Sequence, residues 1–165
     1  MIRRAAAALV VLLGACASGP PSAPPAEQPA VPEGGVVVSF EGGRIAAEVV
    51  ADDASRARGL MHRSQLAPDA GMLFVFPGRQ GSDHGFWMKN TLIPLSIAYM
   101  VWAGETTLEV VAVRDMEPCR RPDCPSYPPG VPYDAALEVN QGWFAEHGVG
   151  IGSRATVQGD LPTPR

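Results

Sequence analysis

His84-Gly85-Phe86-Trp87-Met88-Lys89-Asn90-Thr91-Leu92-Ile93-Pro94-Leu95 is the densest apolar run of the chain beyond its N-terminal signal, and it carries a cation and an amide at its centre. Charge is seldom enclosed without a partner, so a greasy run broken by Lys-Asn marks a place where burial and exposure meet. Pro94 restricts Ile93 to an extended shape and splits the run in two. Leu95 to Trp102 then reads as a strand, which Gly104-Glu105 turns back into Thr106 to Val113.

The same grammar extends in both directions. Upstream, Val36 to Phe40 and Arg44 to Val50 are short strands separated by Glu41-Gly42-Gly43, a hairpin signal. Asp52 or Asp53 suits a helix N-cap, and Ala54 to Met61 forms a short helix that puts Arg58 and His62 on one face. Met72 to Phe76 is a fully apolar strand ended by Pro77-Gly78. Downstream, Ala135 to Val139 is a strand, Gln141 to His147 a helical turn or two, and Arg154 to Gln158 closes the body. Short strands at regular intervals with one or two short helices predict an all-β domain, an antiparallel sandwich or distorted barrel. Seventeen prolines and eighteen glycines fit that class better than a helical one.

The N-terminus reads as an address. Arg3 and Arg4 precede an apolar core, Ala5 to Leu13, that is too short to span a bilayer as a helix. Leu13-Gly14-Ala15-Cys16 resembles a bacterial lipobox, which implies removal of residues 1–15 and lipidation of Cys16. The alternative is an ordinary export cleavage site. Loss of Arg3 and Arg4 leaves 11 cations against 17 acids, a mature balance of −6. Ala17 after the Cys, by resemblance to lipoprotein sorting, points to the periplasmic face of the outer membrane. Residues 16–35 form a proline-rich tether that cannot build a core. Residues 36–160 form one domain and 161–165 a tail. Membrane attachment is therefore expected through lipid, on an otherwise monomeric domain. With a formal charge of −4 and no basic stripe, nucleic acid is not an expected partner.

Three cysteines would leave an odd thiol in an exported chain. Lipidation uses Cys16, and a disulfide between Cys119 and Cys124 would staple the loop between them, worth about 2 kcal/mol on a chain-entropy argument. A zinc site joining both thiolates to His62, His84 or His147 is the sharper alternative, disfavoured by an oxidising envelope. No cofactor motif, phosphate loop or nucleophile elbow is present.

Several motifs stand in order: Arg58-Gly59-Leu60-Met61-His62-Arg63, Gly71 to Phe76, Phe86-Trp87-Met88-Lys89-Asn90-Thr91 with Ile93-Pro94-Leu95, Glu117-Pro118-Cys119 with Cys124, and Ala136-Leu137-Glu138 before Gly142-Trp143. Together they resemble the bacterial and archaeal family called domain of unknown function 192, over about residues 38 to 159. The resemblance implies a jelly-roll-like all-β sandwich, often exported, and brings no activity, cofactor or substrate. It also marks a departure: the family usually has Asp where this chain has Ser96.

Twelve of the thirteen cations are Arg, and Lys89 is the only lysine. A compact ammonium beside Asn90 and Trp87 suits a pocket for a carboxylate or sugar hydroxyls, with Arg58, His62 and Arg63 at its rim. The plainer reading is a snorkelling lysine and an asparagine bonded to backbone. His84 is a candidate proton shuttle, and Glu117 and Glu138 are the acids expected nearest this surface. The function expected is a cell-envelope lipoprotein that binds an acidic or glycan ligand. A hydrolase or lyase on cell-wall material and a structural partner in an envelope assembly are the alternatives.

Overall fold

The computed structural model of the protein describes residues 30–165. The signal segment, Cys16 and most of the tether lie outside those residues. The body is all-β. In chain order its strands are β1 (Val36–Ser39), β2 (Arg44–Val50), β3 (Ala70–Gln80), β4 (Phe86–Trp87), β5 (Leu95–Trp102), β6 (Thr107–Met116), β7 (Ser126–Tyr127), β8 (Tyr133–Asn140) and β9 (Arg154–Gln158). Two short helices, α1 (Asp53–Arg58) and α2 (Trp143–Glu146), sit between them.

Seven strands close into a barrel in the order β1-β2-β3-β8-β5-β6-β9, and β4 pairs only with β7. Of the two all-β arrangements expected, the barrel is the one formed, because β9 pairs with both β1 and β6 and leaves the sheet no open edge. All its pairs are antiparallel except β2–β3, which is parallel. The segment between those strands is therefore a crossover laid over the outside of the barrel.

Burial follows the side-chain alternation of each strand. β9 reads Arg-Ala-Thr-Val-Gln, and its Ala155 and Val157 point into the barrel while the others face solvent. β5 is buried along its first six residues. Ala98 and Met100 fill the barrel interior, whereas Leu95, Ile97 and Tyr99 join a second cluster on the outside with Met72, Phe74, Leu60 and Met88. Burial on both faces explains why β5 is nearly continuous in apolar residues. That second core is covered by the loops around residues 51–69, 81–94 and 117–132.

Asp52 caps α1 by accepting from Ala54 N (3.1 Å) and Ser55 N (3.0 Å). The helix is shorter than expected. It stops at Gly59, whose φ of 46° is left-handed, rather than running to Met61. Arg58 and His62 thus do not share a helical face, and His62 itself has φ 63°. β3 runs past Pro77 to Gln80 across a register shift instead of ending at Phe76.

Candidate functional site

The central run does not behave as one broken strand. Phe86-Trp87 forms β4, held by Phe86↔Tyr127 and Trp87↔Ser126. Gly85 has to be glycine for this, because a Cβ there would lie 2.5 Å from both Pro128 N and Ser126 Oγ. Tyr99 ties the pair to the barrel: Phe86 N–H donates to its hydroxyl at 3.3 Å, and the hydroxyl donates to the Tyr127 carbonyl. Burial raises the pKa of Tyr99 and of Tyr133, so both phenols stay protonated donors.

Residues Met88 to Thr91 make a turn against the disulfide loop. Cys119 and Cys124 are bonded, their Cα atoms 5.8 Å apart. Asn90 N–H donates to the Cys119 carbonyl (2.9 Å), and Cys119 N–H donates to the Thr91 carbonyl (3.3 Å). Asn90 adopts φ 58°, a conformation that asparagine tolerates better than most residues. Its carbonyl accepts from His62 N–H at 2.9 Å, which brings the two left-handed residues together. Lys89 is half-buried, with Nζ 5.2 Å from the centroid of the Trp87 ring. Neither the Lys89 ammonium nor the Asn90 amide has a side-chain hydrogen-bond partner among the described residues.

Beside this turn lies an open cavity of about 440 Å³ between α1, the end of β3 and β4. Phe74, Phe76, Phe86 and Trp87 wall it, and Arg56 and His84 supply polar groups. Trp87 is 50% exposed, whereas Phe86, Met88, Leu92, Ile93 and Leu95 of the same run are buried or half-buried. Phe86 packs edge-on against Phe74 at 4.8 Å, which fixes the floor. His84 is oriented by Tyr133, whose hydroxyl donates to the His84 carbonyl at 2.9 Å. Asp53 and Gln80 complete the polar part of the rim.

The sequence candidates divide between places. His84 and Trp87 line the cavity; Lys89 caps the outer face of the Trp87 ring and Asn90 follows it in the turn. Arg58 is exposed and His62 reaches Asn90 only through backbone. Arg63 is not at the rim of this pocket, because it makes a two-pronged pair with Glu48 at 2.5 and 2.7 Å. That pair holds the Glu48 carboxyl below its usual range. Glu138 is not a surface acid. It is 4% exposed, in the middle of β8 between Met72 and Ile97, and desolvation pushes its pKa up to about 8. Glu117 is exposed and accepts from Gln141 Nε2 at 3.0 Å, so the two acids do not form a catalytic pair.

Arg56 is the site residue that sequence reasoning missed. Its side chain is only 9% exposed, and its guanidinium lies 5.2 Å from the Phe76 ring centroid. A signal was present: Asp53, Arg56 and Ala57 fall at i, i+3 and i+4 of α1 and face the cavity together. Ser96 is explained structurally. At 1% exposure its hydroxyl donates to Asp115 Oδ1 (2.5 Å) and accepts from Gly142 N–H (2.9 Å), anchoring the start of α2.

The fold and site define a small closed β-barrel whose outer loop layer frames one aromatic-walled cavity. Within that class the chain belongs to the uncharacterised family DUF192, described as Uncharacterized ACR, whose profile matches residues 36–157. A Sinorhizobium meliloti 1021 crystal structure, provisionally described as a transcription regulator, is 28% identical with TM-score 0.61, over 74% of this chain and 92% of that one. A Novosphingobium aromaticivorans DSM 12444 protein of unknown function is 31% identical with TM-score 0.59, over 81% of this chain and 94% of its own. No curated protein matches the chain.

Proposed function

We propose that the protein is a small-ligand-binding module held at the cell envelope by lipid on Cys16, with the aromatic cavity as its binding site. The observation that carries this reading is the half-exposed Trp87, presented at the mouth of a cavity of about 440 Å³ and covered on one side by Lys89. Cavities of this size, mainly apolar with a few placed polar groups, are the usual form of small-molecule sites. An exposed indole in a fixed pose offers stacking area to a sugar ring or an aromatic body at little entropic cost.

Hydrolysis fits less well. Asp53 is the only carboxylate among the described residues that line the cavity, and it is bonded to Arg56 at 2.6 Å. The buried Ser96 has no access to a substrate. The regulator description of the Sinorhizobium protein is not carried over, since a net charge of −4 disfavours a DNA partner.

The reading is tested by titrating the protein with a panel of monosaccharides, uronic acids and aromatic acids while following the Trp87 indole N–H by NMR. At least one compound is expected to shift that resonance saturably and to lose affinity in Trp87→Ala. A panel that leaves the Trp87 signal unmoved would end the proposal. Anchoring is tested separately: Cys16→Ala is expected to release the protein into a soluble envelope fraction, and retention in the membrane would refute the lipid.

A further inference from the structure

Arg56 carries five N–H donors. One on Nη1 is taken by the Val75 carbonyl at 2.9 Å. The two on Nη2 go to Asp53 Oδ1 at 2.6 Å and to the main-chain oxygen of Arg165 at 2.8 Å. The Nε–H and the second Nη1–H meet no acceptor among the described residues. A charged side chain that is nine-tenths buried normally has its donors satisfied, since an unmet hydrogen bond at a buried charge is costly. Among the described residues no polar side-chain atom is both sealed from solvent and unpartnered, so the partnerless Nε opens onto space, and the space Arg56 lines is the aromatic cavity.

Charge narrows the ligand further. Arg56 is the cation and Asp53 the carboxylate among the described residues that line the cavity, and Lys89 adds a second cation outside it, over the Trp87 ring. The spare donors sit on different nitrogens, and the outer edge of the fork is already occupied by Asp53 and Arg165. A doubly charged phosphate would meet the Asp53 carboxylate without a second free fork to hold it. A singly charged carboxylate meets neither obstacle. The remaining walls, Phe76, Phe86 and Trp87, are flat rings, and they favour a flat unsaturated body over a flexible chain.

We infer that the cavity binds a flat monocarboxylic acid, its ring or conjugated body against Trp87, Phe86 and Phe76 and its carboxylate accepting from Arg56. This rests on the binding role proposed above and names the class of ligand for that same site. Arg56 is then a ligand-binding residue, and Lys89 a rim charge that adds attraction from outside the ring.

The test compares trans-cinnamate with cinnamamide, its neutral isostere, by calorimetry and by shifts of the Trp87 indole N–H. Wild type is expected to bind cinnamate roughly tenfold or more tightly than the amide, the order of effect for a hydrogen bond to a charged group. Added salt is expected to weaken cinnamate and leave the amide unchanged, a measurement that needs no variant. Arg56→Met is expected to bring the two compounds to similar affinity, and Arg56→Lys to restore part of the gap. Should Arg56→Met fail to fold, Lys89→Ala is expected to weaken cinnamate alone, about two- to threefold. Equal affinity for acid and amide in wild type overturns the carboxylate and leaves the cavity a binding site. Binding of a neutral sugar at Trp87 with no response to cinnamate does the same. No perturbation of Trp87 by any compound overturns the binding role itself.

Discussion

Replacing Glu138 by glutamine should stabilise this protein, by an amount that grows with pH. The carboxyl lies in the outer core between Met72 and Ile97, without a hydrogen-bond partner among the described residues, and its oxygens keep only a trace of solvent contact. Burial alone raises its pKa from the usual 4.5 to about 8. Between those values the unfolded chain has released its proton and the folded chain has kept it. The unfolded state therefore binds fewer protons, and stability falls as pH rises through that window. Each unit of separation is worth about 1.4 kcal/mol. The loss begins near pH 5, is on the order of a few kcal/mol by pH 7, and levels off above pH 8.

A glutamine of nearly the same shape has no proton to lose and should escape this loss. Urea unfolding followed by tryptophan fluorescence at pH 5, 7 and 8.5 gives the comparison, with m-values checked for constancy. Glu138→Gln is expected to match wild type near pH 4.5 and to pull ahead as pH rises. If the difference between the two proteins does not change with pH, or if the variant is the weaker at pH 7, Glu138 is ionised and partnered, and the account of its burial is wrong.

Three further outcomes follow from the site. Cys119→Ser with Cys124→Ser should cost about 2 kcal/mol and also speed hydrogen exchange at the Trp87 amide, because the disulfide loop leads directly into β7 and clamps the Lys89–Thr91 turn. An exchange rate at Trp87 that does not change would show β4 to be held independently. Gly85→Ala should push β4 away from Pro128 and Ser126, lowering the melting temperature and altering the near-ultraviolet signal of Trp87; an unaltered spectrum refutes the close approach. Ser96→Asp should destabilise by roughly 1–3 kcal/mol, because two carboxylates would face each other where Ser96 now donates to Asp115. Adding Asp115→Ser should restore much of that loss, and failure to do so would mean the pair is not what the position tolerates.

Much of the barrel was legible because side-chain alternation is a local property. Arg154 to Gln158 alternates and lies with one face in solvent; Leu95 to Trp102 is apolar on both faces and is buried between two cores. Both strands have the bounds their pattern gave. The N-cap at Asp52 was readable for the same reason, since it rests on residues three apart. The stop at Gly59 was harder to read: the apolar spacing runs through it, and only the backbone angle decides.

The sequence alone determined the all-β class, the strand faces, the membership in the family and the position of an aromatic run interrupted by Lys89 and Asn90. Tertiary structure decided closure, the parallel β2–β3 pair, and which cation lies at the cavity. Arg56 has an unremarkable place in a six-residue helix until Val75, nineteen residues away, and Arg165, 109 away, bring main-chain oxygens to it. Glu138 likewise has nothing near it in sequence to mark it as unpartnered. Periodicity fixes which way a side chain points, but what it meets there depends on strands that register and loops that fold over from distant parts of the chain.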